Sequence, residues 1–172
     1  MATTMDEVRE GLSEAQYGAR MAGGTANTFG GALRKLALDI AAHPATAVRS
    51  TADLALRQGT IAAHTVSRLM GADPTPVVTA PPGDRRFADR AWRDNPFLRQ
   101  VLESYLVSAQ WWRDRVDESN LGDADRRRAR FAINAMLDAL SPSNLPTVNP
   151  AVIKEAIDTG GMSWVRGMTT ML

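Results

Sequence analysis

The chain contains no cysteine. Disulfides, thiolate metal sites and a thiol nucleophile are therefore excluded from the residues present. Lysine is almost missing too: Lys35 and Lys154 stand against eighteen arginines, which reads as base composition of the source genome before any chemistry. Neither charge sign is in surplus, since the net charge is +1, so nothing in the balance marks the chain for nucleic acid or an anionic membrane. No apolar run approaches the roughly 20 residues that span a bilayer. Asp6, Glu7, Glu10 and Glu14 at the N-terminus are the wrong flank for a signal peptide, and a cytoplasmic location is expected. Aromatic residues are few, and much of the hydrophobic content is alanine, which buries little area per residue. Alternating β-branched stretches are absent as well, so the fold class is all-α.

What is present is a succession of helical patterns. A charged segment over Met5–Arg20 is followed by a Gly-rich break, Ala22–Gly31, which lacks the spacing of a phosphate loop. Ala32–His43 and Pro44–Met70 read as two helices, with Pro44 in the first turn of the second. In that second helix Val48, Ala52, Ala55, Gly59, Ala62, Val66 and Leu69 form a heptad-like stripe of mostly small residues. So thin a stripe predicts a marginal hairpin that needs a covering surface. Gly71–Gly83, with Pro74, Pro76, Pro81 and Pro82, is an extended linker and the best internal boundary. The organisation is then an Ala-rich helical leader over 1–70, a Pro-rich linker over 71–83 and a helical module over 84–172.

The strongest helix begins at Asp94-Asn95-Pro96, where Asn caps free N–H groups and Pro sits at the first helical position. Leu98, Leu102, Tyr105, Ala109, Trp112 and Val116 make its apolar stripe, widened by Phe97, Val101 and Trp111. After the turn Asn120-Leu121-Gly122, Asp123 is expected to cap a second helix running to about Leu140. Its stripe is Ala129, Ile133, Met136 and Leu140, with Phe131 and Leu137 beside it. So short a turn makes the two helices an antiparallel hairpin. A Pro-rich loop, Ser141–Pro150, leads to C-terminal helices whose apolar face ends in Trp164, Val165, Met168 and Leu172. A chain ending on such a face looks cut off.

No constellation assembles an active site. Arg126, Arg127, Arg128 and Arg130 form a basic cluster, but Asp123 and Asp125 precede it, which favours a solvated face or interdomain ion pairs. His43 and His64 have no second ligand or acid partner at metal or triad spacing. Asp117 and Glu118 diverge on their helix. Trp112 continues the core stripe, whereas Trp111, with Phe87 and Trp92, is the better candidate to meet another domain; Phe87 and Trp92, large apolar anchors in a polar stretch, are equally able to fold back onto the helix they precede. No cofactor, no metal and no catalytic residue is expected, and exposed apolar surface is predicted around Phe87 or Trp92 and around Trp164, Met168 and Leu172.

The stretches 84–112 and 126–168 resemble the N-terminal region of polyhydroxyalkanoate synthases (poly-3-hydroxybutyrate polymerases). The resemblance is carried by Phe87, Trp92, Asn95-Pro96, Tyr105, Arg130-Phe131, Ser141-Pro142-Ser143-Asn144, Asn149-Pro150, and Thr159-Gly160-Gly161-Met162-Ser163 with Gly167. Leu145-Pro146 departs from the pattern, where an aromatic often follows the Asn. Such enzymes polymerise (R)-3-hydroxyacyl-CoA into storage polyester and release coenzyme A. Their Cys, Asp and His sit in an α/β-hydrolase domain downstream of the matching region. The resemblance thus implies a non-catalytic module, inactive alone, of an acyltransferase family. Its implied partners are a synthase catalytic domain or full-length synthase, a second copy of the chain, and the surface of a polyester granule. Phe87, Trp92, Trp111, Trp164, Met168 and Leu172 are the candidate contact residues. A stand-alone granule-surface or scaffold protein of phasin type is the alternative, and nucleic-acid binding through Arg126–Arg130 is a distant third.

Overall fold

The computed structural model describes residues 28–145, 148–150, 154 and 158, and all regular structure among them is helical. Helix α1 occupies residues 28–42 and passes at His43 into α2, Pro44–Leu69. The chain then runs extended to a 3-10 turn at Arg85–Phe87, a one-turn helix α3 (Ala91–Asp94), and the central helix α4 (Pro96–Asp117). Helix α5, Asp123–Ala139, returns antiparallel to α4 and ends in a 3-10 turn at Pro142–Asn144. Helix α4 packs against α2, α3 and α5.

Local chemistry accounts for most of the boundaries. Asn95 Oδ1 accepts from the backbone N–H groups of Phe97 (2.9 Å) and Leu98 (3.1 Å), so the expected cap of α4 is in place. Helix α2 stops because Gly71 takes φ +90. Its N–H reaches Arg68 O while Ala72 N–H reaches Ser67 O, both at 3.0 Å. This paired closure needs a left-handed residue, which glycine supplies without a Cβ clash. Two boundaries differ from expectation. Gly122, not Asp123, is the N-cap of α5, and no side chain caps it; instead Arg126 Nη2 donates to Ser119 O and Leu121 O, both at 2.9 Å, and holds the turn. Helix α1 already runs through Gly30-Gly31. Two glycines in a helix cost about 1 kcal/mol each, and packing offsets this: Phe29 stacks on Phe131 at 5.0 Å, and Ala32 is buried.

Two apolar clusters hold the elements together. One joins α1 to the hairpin: Ala32 and Leu36 meet Ala109, Val116, Ala129, Ile133 and Leu137, with Trp112 packed alongside. The other collects Phe87, Trp92 and Leu102, with Leu98, Val101 and Tyr105 against them. In α5 the buried row is Ala129, Ile133 and Leu137, so the expected stripe slips by one residue and Met136 and Leu140 are exposed. The three buried positions are four residues apart and follow one ridge of the helix onto α4.

The larger departure concerns α2. Every residue of the heptad-like stripe, from Val48 through Gly59 to Leu69, faces outward. The face laid on α4 is the polar one. Trp111 Nε1 donates to Ser50 O at 3.0 Å, and Gln58 Nε2 donates to Ser104 O at 3.2 Å and Ser108 Oγ at 3.1 Å. Ile61 and Thr65, further along the helix, are buried.

Candidate functional site

Residues 73–105 form a knot in which sequence neighbours become a shaped site. The 3-10 turn places Phe87 edge-on to Trp92 at 5.4 Å and tilted to Tyr105 at 5.9 Å. Tyr105 Oη donates to Leu137 O at 3.1 Å, which fastens the knot to α5. Arg86 bridges Asp84 (2.9 Å) and Asp138 (2.9 Å) and lies 5.5 Å over the Phe87 ring. The hydrogen bonds from Arg86 hold the Asp84 carboxyl below the usual aspartate value and outweigh the burial that raises it; the same pairing pushes Arg86 up.

Beside the aromatics lies an ionic network. Glu103, 1% exposed, accepts from Arg68 Nη2 at 3.1 Å, Arg99 Nε at 3.1 Å and the Val77 backbone N–H at 2.9 Å. Arg99 continues to Asp73 (3.0 Å) and Pro74 O (3.2 Å). Arg68 Nε and Nη1 are buried without a partner among the described residues. One carboxylate thus ties α2, the Pro-rich segment and α4 together. Between the knot and this network is a cleft of about 360 Å³, walled by Val78, Ala80, Trp92 and Leu102, with Arg93 and Arg99 lining it.

The candidate contact residues divide. Exposed apolar surface at Phe87 and Trp92 is not found: the rings are 4% and 1% exposed. The two rings cluster with Leu102, so Phe87 and Trp92 fold back onto the helix they precede. Trp111 is half-buried against α2 and edge-on to Trp112 at 4.9 Å. Trp164, Met168 and Leu172 lie outside the described residues. Among the described residues a run of exposed apolar side chains lies instead along the outer side of α2, where Val48, Leu56, Val66, Leu69 and Met70 are 56–83% exposed; Leu38, Phe97, Phe131 and Leu140 are exposed elsewhere. Sequence reasoning missed Glu103 and Arg68. The one signal was Arg99 four residues before Glu103 on the same helix face.

Most of the basic cluster on α5 is spent within the fold. Arg126 pairs with Asp123 and Arg128 with Asp125, while Arg130 crosses to Asp117 on α4. Lys35 on α1 reaches Asp125, whose carboxyl is lowered first by that hydrogen bond. His43 Nδ1 sits 2.8 Å from Asp39 O, and Nε2 lies 3.3 Å from Asn120 Nδ2, at a small pocket that Arg115 also lines. Among the described residues no group of three or more His, Asp or Glu is placed to hold a metal ion, and no helix is long and apolar enough to cross a membrane.

Comparison with known proteins bears directly on the knot. A family profile described as poly-beta-hydroxybutyrate polymerase (PhaC) N-terminus matches residues 83–172. Poly(3-hydroxyalkanoate) polymerase 2 of Ectopseudomonas oleovorans is 45% identical over 91 residues, 53% of this chain and 16% of its own length. Poly(3-hydroxyalkanoate) polymerase of Methylorubrum extorquens is 32% identical over 126 residues, 73% of this chain and 21% of its own. The polymerase subunit PhaC of Cupriavidus necator is 37% identical over 94 residues, 55% and 16% respectively. The chain therefore spans about a fifth or less of the length of these relatives. No solved structure matches it. The profile covers more than half of the chain, from the last residue of the Pro-rich segment through the aromatic knot and the hairpin; the chain belongs to the family of poly-beta-hydroxybutyrate polymerase N-terminal regions.

Proposed function

We propose that this chain is a non-catalytic N-terminal region of a polyhydroxyalkanoate synthase. In this reading it supports polyester synthesis from (R)-3-hydroxyacyl-CoA by contact with a catalytic domain, a second copy or the granule surface. The observation that carries the reading beyond family membership is the outer face of α2. Its exposed valines, leucines and methionine stand beside Ala52, Ala55, Gly59 and Ala62, which let another surface approach closely. Residues 58–67 carry no charged side chain, so along that stretch a covering surface meets no ion that must be desolvated. Trp164, Met168 and Leu172 are proposed to add to this contact. A cytoplasmic location at the granule surface belongs to the same proposal.

The test is a reconstitution. The chain alone is expected to release no coenzyme A from 3-hydroxybutyryl-CoA. Added to a synthase lacking the region that matches this chain, it should raise the rate or shorten the lag, and Leu56→Glu with Val66→Glu should remove the effect. Coenzyme A release by the chain alone would overturn the assignment. Binding to polyester particles without any synthase would favour the phasin-like reading, which the same apolar face suits.

A further inference from the structure

The cleft between the aromatic knot and the Arg68–Glu103–Arg99 network is a site that the contact role does not use. We propose that it binds an aliphatic chain ending in a carboxylate, with the chain between Val78, Ala80, Trp92 and Leu102 and the carboxylate on Arg93.

Three observations carry this. The first is size and shape. At about 360 Å³ the cleft lies at the small end of the range of about 300–1,000 Å³ typical of ligand pockets. The second is the lining. Its apolar walls come from three separate elements, the Pro-rich segment, α3 and α4; Phe87 also lines it, and the polar lining includes the paired Glu103. A slot of this kind rewards a slender flexible chain over a compact polar molecule. The third is charge. Glu103 is already shared between Arg68 and Arg99, and Asp73 takes Arg99 from outside. Arg93 is exposed, lines the cleft and has no ion pair among the described residues. The surplus charge at the site is therefore one guanidinium, and a guanidinium pairs with a carboxylate through two parallel hydrogen bonds. An apolar slot with a single unmatched cation selects an amphiphilic anion over a neutral lipid or a dianion.

The inference does not depend on the contact role of α2 and survives its failure. The probe is octanoate, titrated into the full chain below its aggregation concentration while the Trp92 indole N–H is followed by NMR. Saturable movement of that signal is expected, with affinity rising roughly fourfold per methylene from butanoate to octanoate. Octanol should bind at least tenfold more weakly than octanoate. Arg93→Ala, at an exposed position that leaves the fold intact, should bring octanoate down to the level of octanol without changing octanol itself. Ala80→Phe should fill the slot and abolish both. No saturable response, equal affinity for octanol and octanoate in the parent chain, or no effect of Arg93→Ala would each overturn the proposal.

Discussion

Glu103 shows how one side chain can fix the relation of three segments. Its carboxylate is the meeting point of Arg68 from α2, Arg99 from α4 and the Val77 N–H from the Pro-rich segment. Burying such a group is costly unless all its partners are present, and removing one partner from a buried pair typically costs about 3–5 kcal/mol. Glu103→Ala should therefore lower stability by about that amount in urea denaturation. Arg68→Met combined with Glu103→Leu should recover much of it, because no uncompensated charge is left buried. Asp84 makes a smaller, pH-dependent contribution. Its folded-state carboxyl ionises below the ordinary value of 3.8 because Arg86 hydrogen-bonds the charged form. The stabilisation is complete above that ordinary value and drains away as pH falls through the lowered one. Asp84→Asn should flatten the acid limb of a thermal-melting series below about pH 4 and leave its slope at neutral pH unchanged.

At the scale of single elements, α4 and α2 make opposite cases. The stripe expected on α4, from Leu98 through Ala109 to Val116, is buried or half-buried, because large side chains at helical spacing leave only one favourable orientation, whereas Phe97, expected to widen it, is exposed. On α2 the apolar stripe is mostly alanine and glycine, and burying those positions gains little per residue. The opposite face gains more from Gln58, Arg68 and Ser50, whose partners on α4 would otherwise stay unsatisfied, and from the burial of Ile61. The consequence can be measured. Ile61→Ala should destabilise the chain by about 2–4 kcal/mol. Val48→Ser, Leu56→Gln and Val66→Ser should each change stability by no more than about 0.5 kcal/mol, while weakening the proposed contact with a synthase.

At the scale of the whole molecule, the leader and the hairpin share a core. Ala32 and Leu36 of α1 pack into the cluster of α4 and α5, and Ile61 of α2 is fully buried. Large side chains are worth roughly 1.5–3 kcal/mol each when buried, against a net stability of about 5–15 kcal/mol for an ordinary domain. A fragment of residues 71–172 should therefore melt well below the full chain, and the full chain should unfold in a single transition by both circular dichroism and tryptophan fluorescence. Two separated transitions would show that the leader and the module are independent units.

The sequence by itself determined the helical class, the cap at Asn95, the antiparallel hairpin and the family, because each rests on neighbours close along the chain: turn residues, cap residues and helical periodicity. The Phe87, Trp92 and Tyr105 spacing announced the resemblance and left two readings of the aromatics open, an outward surface or a fold back onto α4; the tertiary structure decided for the buried aromatic knot. Only the tertiary structure decided which face of α2 is covered, which of Met136 and Leu137 is inside, and that Glu103 gathers two arginines. The physical reason is common to all three. Where side chains are small or polar, the orientation of a helix is set by partners supplied from far along the chain, and no local pattern names them.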